Sequence, residues 1–555
     1  MKKTFSSCAL FISIVMGYAQ RLPTEQIDQL LDGVASDSTP GISLAVLKGD
    51  QLIYSKQLGI ASLEYDVPIN EYTKFPLASI SKQFTAACIG LLVKAEKLSV
   101  NDDVRKYIPE LPDYGESIKI KHLLNHTSGL RNHNVLLDLK GFDYAYSGYT
   151  NQSIESLIFK QYALNHVPGE KMLYSNSNYV LLALIVQRVA KKGLADFAEE
   201  ELFQPLGLSD TFFESSLSSV VKNPAYAYYK SNGTYQQHHS SNLCTGAGGV
   251  VTTITDLLEW SKIYWQGDHP KSWLSGFLTT QDTLNNGSIS NYGRGVFLDD
   301  YIHLPTIRHG GRGHGLRTIM LVAPEEHLAV VAFANSSQVN VSGIAYQVLD
   351  WLFPENNKPK HEASLFKHKK KCLNQIVGDY QEMNSDMGMK IFLENDTLKS
   401  LSSMGRHVIP LLGIQKNTFQ RISSANVRHT FFDDKNQPWD MTVDFGGATF
   451  YFEKVSLADP ATVAIDEYLG NYYSQELDVL YRFTTKDNVL VLDYPNNHDV
   501  MLRPRRTDEF GSGRRTRYTF YRNDEGEICN LHVAAEGTVK DVAFVRVSDA
   551  DRPNP

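Results

Sequence analysis

The chain has 555 residues, 42% of them hydrophobic and 21% charged, with a formal net charge of −8. That length exceeds what one hydrophobic core can organise, so roughly two to four domains are expected. The mild acidity argues against nucleic acid and anionic membranes as main partners.

The chain opens like a targeting segment. Lys2 and Lys3 form a charged start, an apolar stretch runs from Phe5 to Tyr18, and Gly17-Tyr18-Ala19 is a small-residue cleavage pattern. Residues 1–19 are therefore expected to be a signal peptide, leaving a mature chain from Gln20 that is periplasmic or secreted in a bacterium. The apolar stretch is short for a membrane span, so no stable membrane insertion is expected. Cys8 leaves with the signal, and Cys88, Cys244, Cys372 and Cys529 are too few for a disulfide framework in so long a chain. With no Cys-x-x-Cys and no His-Glu-x-x-His, a metal site has no support in the sequence.

Residues 22–355 mix helical and strand patterns. Ile42 to Leu47 and Gln51 to Lys56 flank Lys48-Gly49-Asp50 and read as a hairpin. Ile319 to Val322 and Leu328 to Phe333 flank Pro324-Glu325-Glu326 and read as a second. One antiparallel sheet holding both, with the intervening helices packed against it, is the expected α/β architecture. After Ser79 the apolar residues Phe84, Ala87, Cys88, Leu91 and Leu92 have helical spacing, predicting an amphipathic helix. From Tyr179 to Ala190 almost every residue is apolar, predicting a buried helix. Lys191, Lys192 and Gly193 predict a basic last turn and a glycine stop for it.

Pro354, Pro359 and the run Lys367, His368, Lys369, Lys370 and Lys371 mark a solvated linker over 356–371. Beyond it the sequence repeats. Gly378-Asp379-Tyr380 returns as Gly470-Asn471-Tyr472, Leu398 as Leu490, and Phe452 to Val455 as Phe544 to Val547, all at one offset. Thr430-Phe431-Phe432 resembles Thr519-Phe520-Tyr521 at a slightly shorter one. Alternating short strands predict two small antiparallel barrels or sandwiches, over 372–458 and 463–549.

Three short motifs carry chemistry. Ser-x-x-Lys occurs at Ser79, Ser219 and Ser364, but only Ser79-Ile80-Ser81-Lys82 opens a helix. There the i, i+3 spacing brings the Lys82 amine beside the Ser79 hydroxyl, and a partly desolvated lysine can accept a proton. The alternative is an N-capping serine with a solvated lysine. Tyr174-Ser175-Asn176 stands just before the buried helix. Tyr174 beside Lys82 is a candidate general base, and Asn176 a candidate donor to a substrate carbonyl. His309-Gly310-Gly311 precedes the Ile319 strand, and its glycines let a substrate backbone approach closely. A backbone N–H there, with that of Ser79, can form an oxyanion hole.

The ordered set resembles the penicillin-recognising serine hydrolases on their class C branch, over about residues 22–340. Phe75 to Thr85, His122 to Leu130, Pro168-Gly169-Glu170 with Tyr174 to Tyr179, Pro205 to Leu208, Gly248-Gly249 and Asp256 extend the likeness beyond the motifs. The resemblance implies Ser79 as nucleophile, Lys82 as its proton partner and Tyr174 as general base. It further implies Asn176 as a substrate contact, His309 and Gly311 as pocket edge, and the Arg312 N–H as second oxyanion donor. It implies no cofactor, an acyl-Ser79 intermediate, and a small-molecule or peptide substrate. Family β-lactamases carry Lys-Thr-Gly where this chain has His309-Gly310-Gly311, a form typical of peptidase and esterase relatives.

A class C-like region followed by two small β domains resembles the D-aminopeptidase arrangement. The stretch from Arg505 to Arg515 is either a loop reaching the active-site mouth or an exposed turn. The sequence reading is therefore an exported serine hydrolase of amide or ester bonds, with D-amino-acid peptides or esters first. A β-lactamase or D-Ala-D-Ala carboxypeptidase is one alternative, and a non-catalytic ligand-binding protein on the same scaffold is another.

Overall fold

The structure is a computed structural model that describes residues 23–354, 366 and 368–548, apart from positions 145, 240, 269–270, 302, 384–386, 403–407, 422–423, 433–439, 446–448, 457–461 and 514. The expected signal peptide, most of the expected linker, Ser364 and Arg514 lie outside the described residues.

A six-stranded antiparallel sheet organises the first region. Its strands are β1 (Ile42–Lys48), β2 (Gln51–Leu58), β3 (Phe297–Tyr301), β4 (Leu304–Gly313), β5 (Leu316–Ala323) and β6 (Leu328–Ala334), in the spatial order β3-β4-β5-β6-β1-β2. Both expected hairpins are present, and β1 lies beside β6 with Ile42 opposite Ala334. Strands from the two ends of the region therefore close on one another.

Both faces of the sheet are buried, and its residues alternate between them. Ile42, Leu44, Val46, Ile319, Leu321, Val330 and Ala332 face helices α1 (Thr24–Asp32) and α5 (Val341–Leu352). Ala45, Met320, Val322, Val331 and Phe333 face the large helical layer. That layer is built round α2 (Ser81–Lys94) and α4 (Asn176–Ala190), with α3 (His133–Lys140) beside it.

Two sequence expectations need correction here. Helix α2 is not amphipathic, because Ser81 through Gly90 are all buried. Its polar residues are satisfied inside the protein. Ser81 Oγ accepts from the Val250 N–H at 3.0 Å, Gln83 Oε1 accepts from Trp260 and Tyr264, and Thr85 Oγ1 donates to the Gly246 carbonyl. Helix α4 is buried as expected, but it ends with Lys191 itself in the left-handed conformation, at φ 55°. Gly193 instead leads into the following helix, Leu194–Ala198.

The carboxy-terminal region forms two closed barrels of eight antiparallel strands each. The first runs from Gly378–Glu382 to Thr449–Lys454, the second from Gly470–Ser474 to Val539–Val547. Helix Lys370–Ile376, which leads into the first barrel, begins inside the basic run. The repeated residues occupy equivalent places. Tyr380 pairs with Lys454 and Tyr472 with Arg546, each cation lying 5.9 Å from the ring. Tyr380 packs on Phe431 as Tyr472 packs on Phe520. The first barrel has its own core, whereas the core of the second is continuous with the helical layer.

The stretch from Arg505 to Arg515 is not a single exposed turn. Arg506 pairs with Glu453 of the first barrel, and Arg515 pairs with Glu536 at 2.6 Å while donating to Met387 Sδ of the first barrel.

Candidate active site

A short strand, Phe75–Pro76, delivers the chain to a 3-10 turn, Ala78–Ile80, which runs directly into α2. Ala78 has φ 48°, an uncommon conformation for a residue with a side chain. Such strain gathers at functional sites where the surroundings enforce it. Ser79 thus sits in the turn before the α-helix rather than at its first residue.

Lys82 lies one turn on and is fully buried. Its Nζ is 3.1 Å from Ser79 Oγ, 2.8 Å from Asn176 Oδ1 and 2.7 Å from the Ala247 carbonyl oxygen. No carboxylate pairs with it among the described residues. Burial pushes its pKa well below that of an ordinary amine. Asn176 Oδ1 and the Ala247 carbonyl can only accept. The third direction of the amine, toward Ser79 Oγ, is the one along which a proton can be exchanged.

Tyr174 completes the triangle. The Lys82 Nζ lies 5.0 Å from its ring centroid. The ring is held by His126 at 4.2 Å, Tyr292 at 6.0 Å and Phe297 at 6.5 Å. Its hydroxyl is buried without an aligned hydrogen bond, although Ser79 is close enough to influence it. Burial raises the phenol's pKa, and the Ser79 hydroxyl opposes that shift. The two groups are therefore pushed in opposite directions, toward a neutral amine beside a neutral phenol.

The facing wall is β4. Gly311 is required there by close approach, since a Cβ on it would meet Thr318 Oγ1 at 2.0 Å and the Leu77 carbonyl oxygen at 2.2 Å. His309 is buried, with Nδ1 2.8 Å from the Gly310 carbonyl oxygen and Nε2 3.1 Å from Tyr292 Oη. The carbonyl can only accept, so Nδ1 carries the proton and Nε2 receives the Tyr292 hydroxyl. Burial lowers the His309 pKa to about 3, and Lys82 pushes the same way whenever it is protonated. This wall thus carries no charge on its histidine. Arg312 stands opposite Arg317 in the β4–β5 register, and Arg308 pairs with Asp299 at 2.5 Å.

Ser79, Tyr174, His309, Gly311 and Arg312 line one open cavity of about 740 Å³, with Met172, Phe297, Arg308 and Arg317. Lys82 lies behind this surface and reaches it through Ser79, and the half-buried Asn176 holds the amine from the side. All seven sequence-predicted residues are thereby brought to one place. The second Ser-x-x-Lys is elsewhere, with Ser219 and Lys222 both exposed.

Sequence reasoning missed four contributors. The Ala247 carbonyl has no side-chain signature. Asn132 Oδ1 accepts from the Asn176 N–H at 3.2 Å, and Asn134 Oδ1 accepts from Asn176 Nδ2 at 2.6 Å. Tyr292 orients His309 from a loop that no motif marks.

Comparison with known proteins gives the same picture. Residues 27–351 match the Beta-lactamase family. Protein flp of Staphylococcus aureus (strain N315) is 27% identical over 322 residues, spanning 56% of this chain and 63% of that protein. Penicillin-binding protein 4* of Bacillus subtilis (strain 168) is 28% identical over 320 residues, spanning 54% of this chain and 68% of that protein. The octameric penicillin-binding protein homologue from Pyrococcus abyssi superposes with a TM-score of 0.54 at 20% identity. It covers 85% of this chain and 98% of its own, so the shared fold extends beyond the family match into the barrels.

Proposed function

The chain belongs to the Beta-lactamase family, and we propose that it is a serine hydrolase that forms an acyl-enzyme on Ser79. The observation that carries this is the fully buried Lys82 amine, without a counter-charge among the described residues, 3.1 Å from Ser79 Oγ at the edge of a cavity.

In this reading Ser79 Oγ attacks the substrate carbonyl carbon and passes its proton to the Lys82–Tyr174 pair. A neutral amine with a neutral phenol holds as many protons as an ammonium with a phenolate. Either arrangement has room for the serine proton, so both residues serve as proton partner and base. The Ser79 and Arg312 N–H groups receive the oxyanion. The pair returns the proton to the leaving group, and water then releases the acyl group from Ser79. Asn176 holds Lys82 through Oδ1 and keeps one Nδ2 hydrogen for the substrate.

The substrates proposed are small amides or esters, with D-amino-acid peptides or esters first. A β-lactam or D-Ala-D-Ala peptide is the second reading, favoured by Arg312 and Arg317 on the cavity wall. Against it, His309 stands neutral where family β-lactamases place a lysine. The segment from Lys2 to Ala19 further supports export. The test is covalent labelling with a fluorophosphonate and with penicillin, the adduct being located by peptide mass. Label on Ser79 of the wild type and none on Ser79→Ala is expected; equal labelling of both overturns the assignment.

A further inference from the structure

The distal barrel meets the catalytic region at the segment that cradles Asn176. Arg131 and Glu476 form an ion pair there at 2.5 Å, with side chains 1% and 2% exposed. The Arg131 guanidinium also donates to Gln161 Oε1 and to the Asp541 carbonyl, each at 3.0 Å. Glu476 also accepts from the Tyr162 N–H at 2.8 Å and the Ala543 N–H at 3.3 Å.

We propose that Arg131 and Glu476 are positioning residues through which the second barrel sets the place of Asn176 and hence of the Lys82 amine. This deepens the acyl-transfer reading and rests on it. A buried ion pair is weak ground for stability, since packed apolar residues do as well. What a planar guanidinium with several fixed acceptors adds is orientation.

The path from barrel to amine is short. The Arg131 carbonyl accepts from Ser177 Oγ at 2.7 Å, and Ser177 Oγ in turn accepts from the His133 N–H at 2.9 Å. The Asn132 N–H donates to the Thr538 carbonyl of the barrel at 3.3 Å, and that carbonyl also accepts from Asn165 Nδ2. Asn132 and Asn134 grip the two nitrogens of Asn176, whose Oδ1 holds Lys82. Residues 131–134 are thus clamped between the barrel and the first turn of α4. A small shift of such a support is felt at the reacting atoms.

The experiment compares Glu476→Gln, Arg131→Lys and a control, Arg522→Gln, which breaks an ion-pair cluster within the same barrel. Folding of the full chain is followed by thermal unfolding, and Ser79 by fluorophosphonate labelling across pH. Glu476→Gln is expected to slow labelling about tenfold or more in its folded form, with the Lys82 limb of the pH profile displaced. Arg131→Lys, which keeps both charges, is expected to fall between it and the wild type. It carries the same readouts should Glu476→Gln fail to fold. Arg522→Gln is expected to keep the wild-type rate and profile. A folded Glu476→Gln protein with wild-type rate and profile overturns the proposal, as does equal slowing by Arg522→Gln. If the wild type takes no label at Ser79, the acyl-enzyme reading fails separately. The positioning role is then read from the pH titration of the Lys82 side-chain nitrogen by NMR. A displaced titration in Glu476→Gln upholds it, and an unchanged one overturns it.

Discussion

Gly311 lies against Leu77 so closely that a methyl group on its α-carbon would stand 2.2 Å from the Leu77 carbonyl oxygen. The contact sets the distance between β4 and the serine turn, and backbone must move if it is lost. Gly311→Ala is expected to reduce Ser79 acylation at least about a hundredfold. Gly310→Ala, whose nearest neighbour would be the Thr318 carbonyl oxygen at 3.5 Å, is expected to cost far less. Labelling kinetics on the two variants check the contrast.

Lys82 and Tyr174 set the pH dependence. Acylation is expected to rise as pH climbs through the lowered pKa of Lys82, and to fall only as the Tyr174 phenol ionises, above its ordinary value. Lys82→Arg keeps a cation that does not titrate in this range, and the rate is expected to drop on the order of a thousandfold. Stopped labelling assays over pH, on wild type and variant, measure both effects.

Buried neutral histidines predict acid lability. Burial lowers His122 to about 4 and His133, His309 and His429 to about 3. The folded chain then binds fewer protons than the unfolded one below an unfolded value of about 6.5, so stability falls as pH drops from there. By pH 5 the loss is about 2 kcal/mol for a group with a folded pKa of about 3. His429 sits in the first barrel with both ring nitrogens unpartnered among the described residues. His429→Phe is expected to raise the melting temperature, more at pH 5 than at pH 8. Thermal melts at the two pH values decide it.

Arg317 faces the cavity opposite Arg312, and like charges in register on neighbouring strands repel. Arg317→Gln is expected to lower kcat/KM for substrates bearing a carboxylate about tenfold relative to neutral esters. Paired ester substrates with and without the acid group provide the measurement.

Gly470 opens the second barrel at φ 133° with the Arg546 guanidinium over it. Gly470→Ala is expected to destabilise the protein by roughly 1–3 kcal/mol. Urea unfolding reads that loss.

Much of this was legible in the sequence because it is local. The hairpins at Ile42 and Ile319 announce themselves by short apolar runs around turns, and the barrel repeat by Gly378 and Gly470. Ser79 and Lys82 are one helical turn apart, so their meeting follows from spacing. The burial of α2 was not legible, because Ser81, Gln83 and Thr85 are polar residues that read as exposed until their buried partners are known. Asn132, Asn134 and the Ala247 carbonyl reach Lys82 and Asn176 from distant segments. Their roles depend on packing rather than on any local pattern. Arg131 and Glu476 are still farther apart in the chain, and nothing near either marks a partner.

The helical layer and the second barrel share one core, so neither is complete without the other. The proximal barrel has its own interior and needs no other part of the chain to cover it. A chain cut after that barrel would keep Ser79 and Lys82 but leave part of the apolar surface of the helical layer open to water.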